Sequence, residues 1–130
     1  MADNFDAVEI IYDIIKDCGV DVFKDKTPTD TLGEHVVVAS PACNHGRFVN
    51  IPMVNVNIFV PRPKGGMVNR TRIKEIRTAI YNAIDASSGP DGYYCAIDRA
   101  YSGLTESSNL EKLKEGLDCF TIKYELTLNS

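Results

Sequence analysis

The chain has 130 residues, which supports one domain and hardly two. Its apolar fraction of 44% and charged fraction of 25% are those of an ordinary globular domain, and its net charge of -4 argues against general or sequence-specific nucleic-acid binding, which needs a basic surplus. No apolar run approaches the ~20 residues that span a bilayer, and the acidic start Met1-Ala2-Asp3-Asn4-Phe5-Asp6 lacks a signal-peptide n-region, so a cytosolic location without a membrane partner is expected.

The first element reads as a helix. Asp3 and Asn4 are N-cap residues, and Asp6 and Glu9 suit the positive end of the helix dipole. Val8, Ile11, Tyr12 and Ile15 fall on one side, with Ile14 and Cys18 widening the stripe, and Gly19 ends the helix. The opposite face carries Asp6, Glu9, Asp13 and Asp17 and is acidic.

Val20-Asp21-Val22-Phe23 and His35-Val36-Val37-Val38-Ala39 read as two strands, and the polar stretch from Lys24 to Gly33, with Pro28, predicts a hairpin between them. Ser40 to Pro52 contains Pro41, Asn44, Gly46 and Pro52 and reads as a loop. Met53 to Val60 is the plainest strand, with Val54, Val56, Ile58 and Val60 on one face and Asn55 and Asn57 on the other. After the break at Pro61-Arg62-Pro63-Lys64-Gly65-Gly66, a helix over about Asn69 to Asp85 aligns Ile73, Ile76, Ile80 and Ile84, assisted by Ala83.

Ser87 to Gly92 breaks the chain, and Tyr93 to Tyr101 reads as a strand with Cys95, Ile97 and Arg99 alternating against Tyr94, Ala96 and Asp98. Ser102 to Gly116 leaves two readings open: a short helix marked by Leu110, Leu113 and Leu117, or a sheet excursion. The last strand alternates Phe120, Ile122, Tyr124, Leu126 and Leu128 with Thr121, Lys123, Glu125 and Thr127. Strands in runs, rather than each alternating with a helix, predict a single α+β domain over residues 1–130: a mainly antiparallel sheet with two principal helices packed on one face.

Catalytic signatures are weak. The cysteines Cys18, Cys43, Cys95 and Cys119 are scattered without a C-x-x-C pair, so reduced, buried thiols are expected and a structural metal is not, although Cys43 and His45 could offer two ligands. His35 and His45 are the two histidines, and neither belongs to a nucleophile motif. The Pro61 to Gly66 segment lacks the G-x-x-x-x-G-K-[ST] pattern of a phosphate loop. No catalytic residue, cofactor or metal ligand is expected.

The most specific charged feature is basic. Arg62, Lys64, Arg70, Arg72, Lys74 and Arg77 cluster in an acidic chain, and Arg70, Lys74, Arg77 and Tyr81 form one flank of the second helix. A solvated face, a nucleic-acid contact and a surface for an acidic neighbour all fit. The acidic face of Asp6, Glu9, Asp13 and Asp17 supplies such a neighbour if the two patches lie apart on the monomer. Head-to-tail contacts between them would then close into a ring.

The order of elements, from the helix ending at Cys18-Gly19 through Val54-Asn55-Val56-Asn57-Ile58-Phe59-Val60, the helix around Ile73, Ile76 and Ile80, and the closing Phe120 to Leu126, resembles the tail-terminator (tail-completion, minor tail) proteins of long-tailed bacteriophages and prophages. The Tyr93 to Gly116 stretch departs from that pattern. The resemblance implies a non-enzymatic ring, commonly a hexamer, that caps the tail tube. Its implied partners are itself, the tail-tube protein and the head-completion protein, in the cytoplasm of the bacterial host during assembly and then in the virion tail. The competing expectation is a small cytosolic ligand-binding domain or enzyme using the open face of the sheet.

Overall fold

The computed structural model describes residues 4–27, 33–46, 49–63, 66–87, 95–104 and 117–129. Helix α1 runs over Asn4–Ile15 and buries Val8, Ile11 and Ile15 of the expected stripe together with Ala7 and Ile10, while Tyr12, Ile14 and Cys18 are half-buried. Gly19 then takes φ +103°, a left-handed conformation in which a side chain would be strained, and turns the chain toward the sheet.

Five strands follow: β1 (Val22–Lys24), β2 (His35–His45), β3 (Val49–Pro61), β4 (Cys95–Leu104) and β5 (Leu117–Asn129), with helix α2 (Arg70–Ala86) between β3 and β4. They lie in the order β1-β2-β3-β5-β4. Every pairing but the first is antiparallel.

β1 and β2 are parallel, pairing Val22 with Val36 and Lys24 with Val38, which corrects the hairpin expected between them. A strand of three residues advances only ~10 Å, a short distance for the chain to recover before β2 starts beside it in the same direction. Asp25 turns the chain out of the strand at φ 71° while its N–H still donates to the Val38 carbonyl at 2.8 Å.

The loop expected over Ser40 to Pro52 is mostly sheet. β2 and β3 continue their pairing out to His45 and Asn50, with a bulge between Ala39 and Ala42 that absorbs Ser40 and Pro41. Proline lacks the N–H that a ladder needs, and a bulge is where a strand tolerates it. The Ser40 hydroxyl donates to the Met53 carbonyl at 2.6 Å and ties the bulge down. The density of Pro and Gly here marks an irregular hairpin, not an unpaired loop. A second bulge, between Arg99 and Tyr101, keeps Ile97, Arg99, Ser102 and Leu104 of β4 on the side of their β5 partners Leu126, Tyr124, Ile122 and Phe120. Of the open stretch from Ser102 onward, Ser102–Leu104 belongs to β4 and Leu117 opens β5. Leu110 and Leu113 lie outside the described residues, as do Tyr93 and Tyr94.

Both helices cover the same face, α1 over β2 and β3 and α2 over β3. Val54, Val56, Ile58, Ile73, Ile76, Ile80, Ile122 and Tyr124 all belong to the core between them. A smaller cluster sits on the other face, where Val37, Phe59, Leu117 and Cys119 are buried with Phe23 against them. Phe59 therefore breaks the alternation of β3, because both faces of the sheet are dry at that end. Burial pushes the Tyr124 phenol well above its ordinary range.

α2 is fastened at its start. Asn69 caps it by accepting from the Arg72 N–H at 3.2 Å. Arg72 then makes a bidentate pair with Glu34, its Nε and Nη2 donating at 2.8 and 2.6 Å, and reaches Glu75 through Nη1 at 3.3 Å. The Arg72 hydrogen bonds hold the Glu34 carboxyl below the usual carboxylate range.

Replacing Ile76 with Ala should cost about 2–5 kcal/mol in urea melts, because the side chain is 2% exposed in the main core. A cost near zero would contradict that placement. Glu34→Gln should cost about 1 kcal/mol at pH 7, discounted because the pair is one-third open to solvent. The pKa of Glu34 is lowered in the fold, so its contribution is present at neutral pH and is lost as the pH falls below about 4.5. The stability gap between the wild type and Glu34→Gln should therefore close in acid, and a gap that stays constant down to pH 3 would contradict the pairing.

Candidate functional site

The two flanks of α2 face different neighbours. Helical spacing puts Arg72 on the flank toward Glu34, at the entry to β2, and puts Arg70, Lys74, Arg77 and Tyr81 on the flank toward β5 and β4. The basic cluster of the sequence is thus divided: Arg72 serves the core side, and Arg62 pairs with the buried Asp118 at 3.0 Å. Lys64 lies outside the described residues. With Arg62 engaged and Asn69 occupying an amide at the α2 N-terminus, the Pro61 to Gly66 segment offers no phosphate cradle among its described residues.

Arg70, Lys74 and Arg77 border a cleft of about 450 Å³ between α2 and the sheet. Its floor is apolar, made by Val68, Ile73, Leu104 and Phe120. The cleft exists because α2 lies over β3, leaving β5 and β4 open at the end where Phe120 pairs with Leu104. Arg77 leans across this gap, its guanidinium 5.6 Å from the Phe120 ring and 5.8 Å from the Tyr81 ring. Arg99 stacks on Tyr81 from β4 at 4.0 Å and is held charged by its hydrogen bond to the Tyr81 hydroxyl. Tyr81 is therefore a half-buried support for two cations. Arg70 and Lys74 are exposed and enter no ion pair among the described residues.

The acidic patch lies at the other edge. Glu9 bonds Lys24 of β1 at 2.7 Å, and the same ammonium sits 4.9 Å over the Tyr12 ring. Asp13 lies 3.9 Å from Lys16. Glu9, Asp13 and Asp17 are exposed and Asp6 is half-buried. Both partial neutralisations are solvent-open, so the α1 face keeps its negative balance. Since β1 and β4 are the two edges of the sheet, Glu9, beside Lys24 of β1, and the cation-rimmed cleft, floored in part by Leu104 of β4, lie toward opposite edges. The sequence anticipated both patches. It gave no sign of the cleft, because Leu104 reaches it only through the β4 bulge.

His35 is the buried histidine, stacked on Phe59 at 4.8 Å in the smaller cluster. The Gly33 carbonyl can only accept, so Nδ1 carries a proton and donates to it at 2.8 Å, and Nε2 is hydrogen-bonded with the Thr27 hydroxyl at 3.0 Å. Both nitrogens are engaged in holding the link before β2. On the same face, the Thr121 hydroxyl donates to Asn57 Oδ1 at 2.7 Å, a cross-strand bond of the ordinary structural kind. No helix among the described residues is long and apolar enough to cross a membrane.

No protein-family model matches the chain, and no curated protein matches its sequence. Among solved structures, it is similar to a chain in the virion of a native gene transfer agent (GTA) particle, with a TM-score of 0.58 over 93% of this chain and 85% of that one. The two sequences are 7% identical, so the likeness is one of fold.

Proposed function

We propose that this chain is a non-enzymatic virion assembly protein of the tail-terminator kind, which forms a ring on the end of the tail tube and joins it to the head-completion assembly. The observation that carries the reading is the fold shared, over 93% of the chain, with a subunit of a gene transfer agent virion. The order of elements in the sequence points to the same class independently.

The surface chemistry suits a ring. An acidic patch at the β1 edge and a basic patch beside β4 are not self-complementary, so copies would join head to tail, and such contacts end only when they close. Exposed ion pairs contribute only ~0–1 kcal/mol each, so assembly should be weak in isolation and reinforced by the tube end. His35 fits this role too, since its ring nitrogens hold a loop and are not offered to a substrate. Assembly would take place in the host cytoplasm, and the product would reside in the virion tail.

A second reading rests on the cleft itself. An apolar floor with cations at its border fits the body and head of an amphiphilic anion, which would make the chain a small ligand-binding domain. That site lies on the helix-bearing side, not on the open face of the sheet where a pocket was expected.

Reversing Arg70 and Lys74 to Glu tests the ring. Both side chains are exposed, whereas Arg77 also covers Phe120 and its loss would disturb the monomer. The reversed protein should keep its melting temperature, sediment as a monomer and fail to cap tubes. Adding Asp13→Lys and Asp17→Lys should restore assembly. Normal assembly of the double reversal would show the charges to be solvated surface and defeat the interface.

A further inference from the structure

Among the described residues the exposed large apolar side chains are Phe5, Met67, Tyr101 and Leu104. Phe5 is 70% exposed on α1, and the cleft opens to solvent beside Leu104, itself 44% exposed. At 3.6 residues per turn, Phe5 shares a helix face with Glu9 and Tyr12, and Asp13 and Asp6 follow further round on the Glu9 side. That face is turned toward β1, because Glu9 and Tyr12 both meet Lys24. The cleft looks out beyond β5 and β4. Phe5 is not among the residues that line the cleft and is itself exposed, so it does not fill the cleft of its own subunit.

We propose that Phe5 of one subunit inserts over Leu104 and Phe120 in the cleft of the next copy of this chain, setting the acidic face of α1 against Arg70 and Lys74. The contact rests on the ring reading and names the apolar anchor that ion pairs alone do not supply. A cavity of roughly 150 Å³ accepts a benzene ring, so the cleft of about 450 Å³ has room for a phenyl side chain and its neighbours. Charge complementarity selects the occupant. Glu9 and Asp13 stand one turn apart on α1, and Arg70, Lys74 and Arg77 follow one another at four- and three-residue spacing on α2, about 5–6 Å per step, so two helices lying side by side bring opposite charges into register. Each ring that enters meets cations at the cleft border, which favour its face. Every subunit carries one knob and one hole at opposite edges, which makes the contact heterologous.

The test uses two variants at exposed positions, Phe5→Ala and Leu104→Glu, each checked for an unchanged melting temperature. Sedimentation velocity should show self-association weakened about tenfold to a hundredfold in either variant alone, the range for exposing one large apolar side chain. Phe5→Ala keeps its cleft and Leu104→Glu keeps its Phe5, so an equimolar mixture should give heterodimers and nothing larger. A Phe5→Ala protein that assembles like the wild type, or a mixture that stays monomeric, overturns the contact while rings of the wild type still stand. A wild type that remains monomeric at every concentration overturns the ring reading with it. Saturable binding of dodecanoate to that monomer, abolished by Lys74→Glu, would assign the cleft to a ligand instead.

Discussion

The position of α2 over β3 decides what the rest of the surface can do. The central strands β3 and β5 are long and present an unbroken apolar row to one side, and among the described residues α1 and α2 are the helices that cover it. α1 takes β2 and β3, and α2 must pack against both α1 and β3. The bidentate Arg72–Glu34 pair ties the start of α2 toward β2, and so away from β4. What the helix gains in core contact with Ile73, Ile76, Ile80 and Ile84 it leaves uncovered at the opposite flank. The cleft over Phe120 and Leu104 is the geometric remainder of that packing.

The same placement sorts the charges. A helix with basic residues all along its solvent side would give a diffuse positive surface. Here Arg72 and Arg62 are drawn into pairs with Glu34 and Asp118, while Arg70, Lys74 and Arg77 are left along the apolar gap. On α1, Glu9 is directed to the β1 edge, where it meets Lys24, and Asp13 lies beside Lys16. On the proposed ring reading, a polarity of this kind repeated from copy to copy would become a sequence of equivalent contacts.

Where the sequence was legible, one face of an element was buried and the other wet. The period of two in Val54 to Val60 and in Phe120 to Leu128, and the Ile73-Ile76-Ile80-Ile84 stripe, placed the main core residue by residue. Legibility failed where the backbone departs from that rule. Pro41 looked like a loop residue because a bulge is invisible to periodicity, and the strand of three residues at Val22 carries too little pattern to tell a parallel partner from a hairpin. The acidic and basic patches were readable as charge spacing on helices. Their separation across the sheet, and the cleft under the basic one, depend on strand order and on the β4 bulge, which pairwise spacing does not encode.

The account makes the quaternary state its central claim. Native mass spectrometry of the wild-type chain, over a concentration series at low ionic strength, tests it most directly. Closed head-to-tail contacts predict one dominant oligomer at an integral multiple of 14.4 kDa, growing with concentration at the expense of monomer and with few intermediates. A spectrum holding only the 14.4 kDa species at every concentration, or an open ladder of ever larger sizes, would contradict a ring.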